Sequence, residues 1–193
     1  MRSAEEVLKI FRDTGALLEG HFQLTSGLHS MQYFQCAKVL QHPAHAAALS
    51  EAAREAFGSR QVHVVIAPAV GGIIVAHEVA RLLGARALFA ERQDGRMNLR
   101  RGFQISGGEE VLVCEDVVTT GGSVQEVIDL ARTAGGNVVG VFCIVDRSAG
   151  KANFGVRLVS TLQLAPATYP PEACPLCAAG GKPEKPGSRF LKS

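Results

Sequence analysis

The sequence predicts an α/β fold, a central and mostly parallel sheet flanked by helices. Three observations carry that expectation. Apolar-rich stretches at residues 62–67, 87–90, 111–114, 138–145 and 158–164 are short, and the one at 111–114 is unbroken, as strands covered on both faces are. Stretches with helical spacing of apolar residues, at 43–57, 73–83 and 124–134, alternate with those runs. Glycine turns join one to the next, and that alternation implies parallel pairing through crossovers.

Taken in order, residues 3–14 read as a helix. Ser3 and Glu6 have capping-box spacing, Val7, Leu8 and Phe11 form an apolar face, and Gly15 ends it. Residues 20–34 alternate polar and apolar around a glycine turn, which suggests a hairpin. Pro43 lies in the first turn of an alanine-rich helix, and Gly58 stands just beyond its end. After the 62–67 strand, Pro-Ala-Val-Gly-Gly at 68–72 turns the chain into a helix whose Ala76, Val79, Ala80 and Leu83 share one face. Next to the 87–90 strand lies an arginine-rich stretch, with Arg92, Arg96, Arg100 and Arg101, that by itself reads as a charged, solvated hairpin. The 138–145 strand runs into Asp146-Arg147-Ser148. Ligands of open α/β sheets sit beyond the carboxyl ends of the strands, so Arg147 belongs near that crevice.

The most informative stretch is 111–123. A buried-type strand stops at two adjacent carboxylates, Glu115 and Asp116, and Thr119, Thr120, Gly121, Gly122 and Ser123 lead into the next helix. The glycines let successive backbone N–H groups converge on an anion, and the helix N-terminus adds unpaired donors and partial positive charge. The hydroxyls can donate as well. Carboxylates repel phosphate but accept bonds from sugar hydroxyls or hold a metal hydrate. Neighbouring strand residues face opposite ways, so both acids reach one ligand only if the chain leaves strand geometry here. A capped helix, with Ser123 and Glu126 at capping-box spacing, would need neither the two carboxylates nor the two threonines. The Gly-Lys-Ser/Thr ending of the nucleotide-triphosphate loop is missing, as is the dinucleotide fingerprint.

Four apolar residues, an acidic pair, two more apolar residues and Thr-Thr-Gly-Gly-Ser resemble the phosphoribosyl-pyrophosphate motif of type I phosphoribosyltransferases. The resemblance implies that family's fold, a small N-terminal hood from about residues 1–40, and Glu115 and Asp116 on the ribose hydroxyls. Thr119, Thr120, Gly121, Gly122 and Ser123 would enclose the 5-phosphate, Val117 and Val118 would also line the phosphoribosyl pyrophosphate site, and the backbone of Gly71 and Gly72 would meet the pyrophosphate. Residues 92–102 would be a lid reaching into the neighbouring subunit of a homodimer, with Arg92 on the substrate and Arg96 nearest the departing pyrophosphate. The 20–34 hairpin resembles the hood of the orotate-using branch, which places Tyr33 and Phe34 on the base and Arg147, with Thr119, on the orotate carboxylate. Lysines usual in the family are replaced by Thr25 and Gly71. The implied reaction joins orotate to phosphoribosyl pyrophosphate, giving orotidine 5′-monophosphate and pyrophosphate for pyrimidine synthesis. Mg²⁺ would ride on substrate and water, with no protein side chain bound to metal directly. Purine-base salvage, and a regulator of the same fold that senses the sugar ester, are the alternatives.

The rest of the sequence bounds the setting. At 193 residues the chain suits one domain, residues 1–169, followed by a proline- and glycine-rich extended tail, 170–193. A net charge of +2 is too small to argue for nucleic-acid or membrane binding. No apolar run approaches a membrane span, and the charged N-terminus does not resemble a signal peptide. Five cysteines, three of them in apolar stretches, fit a reducing cytoplasm better than a disulfide framework. Cys174-Pro-Leu-Cys177 has the spacing of half a zinc site, and no neighbouring histidine or cysteine in the tail completes it. A structural or incidental role is therefore expected there ahead of metal binding, with a zinc shared between subunits left open.

Overall fold

The computed structural model describes residues 2–24, 26–164 and 166–186. Thr25 and the last part of the tail, residues 187–193, lie outside the described residues. Helix α1, Ala4–Asp13, starts from the expected capping box: Glu6 N–H donates to Ser3 Oγ (3.2 Å) and Ser3 N–H to Glu6 Oε2 (2.8 Å). Strands β1 (Leu17–Gln23) and β2 (His29–Phe34) form the antiparallel hairpin. A short helix, α2 (Cys36–Leu40), precedes α3 (Pro43–Phe57).

From there strand and helix alternate. Strand β3 (Val64–Pro68) leads to α4 (Gly72–Leu83), then β4 (Arg86–Gln93) and β5 (Arg96–Leu99). Strand β6 (Glu110–Val118) leads to α5 (Gly122–Thr133), then β7 (Asn137–Asp146) and β8 (Leu158–Gln163). The main sheet has the order β5-β4-β3-β6-β7-β8, parallel throughout except for β5, which folds back antiparallel on β4. Strand β9 (Thr168–Tyr169) pairs with β2, making a second sheet of order β1-β2-β9.

Strand alternation divides the core into two layers. Val65, Ala67, Leu112, Cys114, Phe142 and Ile144 face α1 to α4, against Phe11, Leu49, Phe57 and Val79. Val64, Ile66, Val111, Val113, Val141 and Cys143 face α5, against Val124, Val127, Ile128 and Ala131. Phe57 lies where a Cβ on Gly140 of β7 would come 2.5 Å from its ring, so helix and strand touch there without a side chain between them. Phe57→Ala should cost about 3–5 kcal/mol, read as a lower urea midpoint at unchanged slope.

The hairpin read in the arginine-rich stretch is present, and two other details change. Residues 92–99 form a β-hairpin around Asp94 (φ 51°) and Gly95 (φ 81°), the Asp-Gly pair that suits a tight two-residue turn. The tail is not extended throughout: a 3₁₀ turn at Pro171–Ala173 and the short helix α6 (Pro175–Ala178) interrupt it. Ser123 does not cap α5: the helix begins at Gly122, Gly121 is its N-cap, and Glu126 is drawn into an ion pair with Arg92.

Candidate functional site

The carboxyl ends of β3, β4, β6 and β7 open onto one crevice, because these strands are parallel and adjacent. Turn 69–72 enters it from β3, the 119–122 turn from β6, and Arg147 from β7.

Strand β6 does not break at the acidic pair, contrary to the expectation that the chain must leave strand geometry there. It continues to Val118, with Glu115 opposite Cys143 and Val117 opposite Val145 of β7. The two acids converge by a different route. Glu115 curls back so that Oε1 accepts the Asp116 N–H (3.2 Å), and Asp116 Oδ1 accepts the Val117 N–H (2.8 Å). Both carboxyls then lie against the Gly71–Gly72 turn: a Cβ on Gly71 would sit 2.7 Å from Asp116 Oδ2, and one on Gly72 3.1 Å from Glu115 Oε1. Burial raises the Asp116 carboxyl above its ordinary value; bonds from its neighbours pull the other way without cancelling it.

Close packing requires glycine at Gly72 and Gly121. A Cβ on Gly72 would come 2.7 Å from Ala67 Cβ, and Gly121 has φ +80° with Phe154 filling the space a side chain would take (2.8 Å). Gly72→Ala should therefore cost about 1–3 kcal/mol through overpacking, measured by thermal or urea unfolding. Thr119 and Thr120 are exposed, Ser123 is half-buried in the first turn of α5, and the backbone donors at the start of that helix are unused by any side-chain cap. The 119–123 turn is thus an open set of donors beside two carboxylates, suited to a ligand with an anion at one end and hydroxyls at the other.

Across the crevice stands the hood. Tyr33 is half-buried, and its hydroxyl is pushed up first by burial and then by Asp116, while Arg147 pulls it down, so the three groups share one neighbourhood. Phe34 is buried, edge-on to Phe11 (5.4 Å), with the Arg147 guanidinium 5.7 Å from its ring centre. Phe34 therefore supports Arg147 from the core side, while Tyr33 is the aromatic residue that reaches the crevice. Among the described residues no carboxylate forms an ion pair with Arg147, and its buried Nε has no hydrogen-bond partner. Burial lowers its pKa. A partly buried cation without a counter-ion is poised for an anionic ligand.

The arginine stretch lies at the sheet edge. Arg92 makes a two-pronged pair with Glu126 of α5 (2.7 and 3.0 Å), and Arg101 another with Glu91 (2.9 Å each). Arg96 and Arg100 are exposed. The chain thus brings Glu115, Asp116, Gly71, Gly72, the 117–123 segment, Tyr33 and Arg147 together, whereas Arg92 and Arg96 sit on the β4–β5 hairpin at the sheet edge. Sequence reasoning missed Phe154, the residue that shapes the Gly121 turn, since nothing in its own segment marks it. Cys36, Cys114 and Cys143 are buried, and burial pushes all three thiols up, so they serve as core residues here.

Another expectation is overturned at the hood. Cys174 and Cys177 do find histidines, His21 of β1 and His29 of β2, which are far away in the sequence.

Comparison with known proteins agrees with this geometry. The family model described as the phosphoribosyl transferase domain matches residues 35–154. An orotate phosphoribosyltransferase of Desulforamulus reducens is 56% identical over 187 residues, covering 97% of this chain and 98% of that protein. One from Chlorobium phaeobacteroides is 55% identical over 183 residues, 95% of each. Among solved structures, orotate phosphoribosyltransferase from Aeropyrum pernix superposes with a TM-score of 0.71 at 27% identity, over 82% of this chain and 93% of that one. Both the central domain and the hood-to-tail extent of the chain are shared with these relatives, and the chain belongs to the phosphoribosyltransferase family, in its orotate phosphoribosyltransferase branch.

Proposed function

We propose that this chain transfers the phosphoribosyl group of phosphoribosyl pyrophosphate to orotate, releasing pyrophosphate and forming orotidine 5′-monophosphate for pyrimidine synthesis. Its relatives carry that activity in their name over nearly the whole chain. The observation within the site that carries the choice of base is Arg147, a half-buried guanidinium with no ion-pair partner among the described residues, beside Tyr33 and across from Asp116. A neutral purine would leave that cation uncompensated; the orotate carboxylate matches its planar fork.

The chain's residues then divide the work. The bond from the ribose C1 to the pyrophosphate oxygen breaks as C1 bonds to a ring nitrogen of orotate, whose N–H proton passes to solvent or to the departing pyrophosphate, through a transition state with oxocarbenium character like that of glycoside cleavage. No side chain acts as nucleophile. Glu115 and Asp116 hold the ribose hydroxyls and set negative charge beside the developing cation, while 117–123 fixes the 5-phosphate and the Gly71–Gly72 backbone meets the pyrophosphate. Thr119 assists Arg147 on the base. Residues 92–102 close over the site of a neighbouring subunit in a homodimer, with Arg92 released from Glu126 toward the substrate and Arg96 beside the leaving group. Residues 1–169 form the catalytic unit, and the cytoplasm is its place of work.

Mg²⁺ is the proposed cation. The acidic end of the crevice offers hard carboxylate oxygens pressed against a glycine backbone, a donor set that suits it. Glu115 and Asp116 would hold it through its waters. When bound it supplies charge neutralisation to the pyrophosphate. The test is ultraviolet monitoring of orotate consumption with phosphoribosyl pyrophosphate and Mg²⁺, in competition with adenine, hypoxanthine and xanthine. Consumption of a purine with orotate ignored would reject the assignment.

A further inference from the structure

Four side chains that the transfer reaction does not use meet where the hood touches the tail. His21 is on β1, His29 on β2, Cys174 is the N-cap of α6 and Cys177 lies within that helix. One donor atom from each lies within 4.8 Å of all the others. The separations are 3.0 Å from His21 Nε2 to His29 Nδ1, 3.5 Å from Cys174 Sγ to His21 Nε2, 3.7 Å from Cys177 Sγ to His21 Nε2, and 3.3 Å from Cys177 Sγ to His29 Nδ1. Zinc bonds of ~2.0–2.3 Å to nitrogen and sulfur at tetrahedral angles require donors roughly 3.3–3.8 Å apart, and these four separations lie in or near that range. His29 and Cys174 are buried and the other two half-buried, as expected of a closed site with no open position for substrate.

The local structure is arranged around this cluster. Between Glu19 and Phe22 the β1–β2 register shifts: Glu19 pairs with Gln32, but Phe22 pairs with Ser30, so Gly20 and His21 oppose Met31 alone. An extra residue of this kind re-aims side chains. The tail is then stitched to the same strand beyond the cluster, with Gln23 N–H donating to Glu184 O and Glu184 N–H to His21 O (2.7 Å each). Gly181 lies over the His21 ring: a Cβ there would come 3.3 Å from Nδ1.

We propose that His21, His29, Cys174 and Cys177 bind one structural Zn²⁺ within a single chain, fastening the tail to the base-facing hood. Two thiolates balance the ion's charge, and mixed sulfur and imidazole donors select zinc over the hard cations that carboxylates favour. The clamp joins positions 153 residues apart, His21 and Cys174, so it closes a long loop, adding to β9, the Phe22–Glu184 bridge and the Ser30–Ala167 bond that also hold tail to hood. Because β2 carries both His29 and Tyr33, the ion also stiffens the strand that faces the crevice.

The test uses the full chain without an affinity tag, purified under reducing conditions and free of chelator. Elemental analysis should find one zinc per chain. The cobalt-exchanged protein should show the intense visible bands of tetrahedral Co²⁺ with sulfur-to-metal charge transfer in the near ultraviolet. Removing the metal should lower Tm by roughly 5–10 °C and speed amide exchange at Gln23 and Glu184. The double variant Cys174→Ser, Cys177→Ser should lose the zinc. The cobalt spectrum is read on the unaltered chain, so a variant that fails to fold cannot decide the matter. A chain that takes up no zinc, a cobalt spectrum without sulfur bands, a quantitative Cys174–Cys177 disulfide, or full zinc retention by the double variant would each overturn the proposal.

Discussion

Asp116→Asn is expected to lower turnover by about 10²–10³-fold, the range seen when one preorganised electrostatic contact to a transition state is removed. The fold should not suffer. Asn keeps an oxygen for the Val117 N–H, and it removes a charge that burial disfavours. The sign follows from that burial. A carboxyl whose pKa is raised in the folded chain binds its proton more tightly there than in the unfolded chain. Its stabilising contribution is complete below the ordinary aspartate value of 3.8 and disappears as pH rises through the higher folded value. At neutral pH, without ligands, the asparagine variant should therefore be at least as stable as the parent. On acidification the parent should gain on it. Thermal unfolding of both from pH 7 downward checks this, beside turnover with saturating orotate and phosphoribosyl pyrophosphate. Equal turnover in the variant would remove Asp116 from the proposed mechanism.

Arg147→Met should raise KM for orotate by about 10²–10³-fold, since breaking a hydrogen-bonded charge pair typically costs 2–5 kcal/mol. Binding of phosphoribosyl pyrophosphate, measured by calorimetry, should change far less. Stability should hold, because the guanidinium is half-buried without a counter-ion and methionine can lie on Phe34 in its place. Arg147→Lys should recover only part of the loss: an ammonium restores charge but not the planar two-pronged geometry. An unchanged KM in the methionine variant would move the base site elsewhere. Turnover of a purine base by that variant would show that Arg147 acts as a specificity filter.

Much of this was legible along the chain. The central strands announce themselves as short apolar-rich runs, and α1, α3, α4 and α5 all appear where helical spacing places them, because each buries one stripe against the sheet. The 111–123 motif was legible for the same local reason: acids, glycines and hydroxyls that serve one ligand are consecutive residues. What went unread depended on partners elsewhere. The register of the β4–β5 hairpin comes from its cross-strand pairing, and Phe154, 33 residues beyond Gly121, fills the space a side chain there would take. The Arg92–Glu126 pair likewise spans two elements that only the sheet order brings together.

The sequence alone thus determines the α/β class, the acidic-pair motif and the family, since these rest on periodicity and contiguous chemistry. The tertiary structure decides how Glu115 and Asp116 reach one point from an unbroken strand, through a side chain that curls back onto the next amide. It also decides that Arg147 stands without a counter-ion, and that a tail Cys-x-x-Cys meets two hood histidines. Each of these depends on distances between residues remote in the chain. Such distances follow from how the elements pack, and no local pattern of residue types records them.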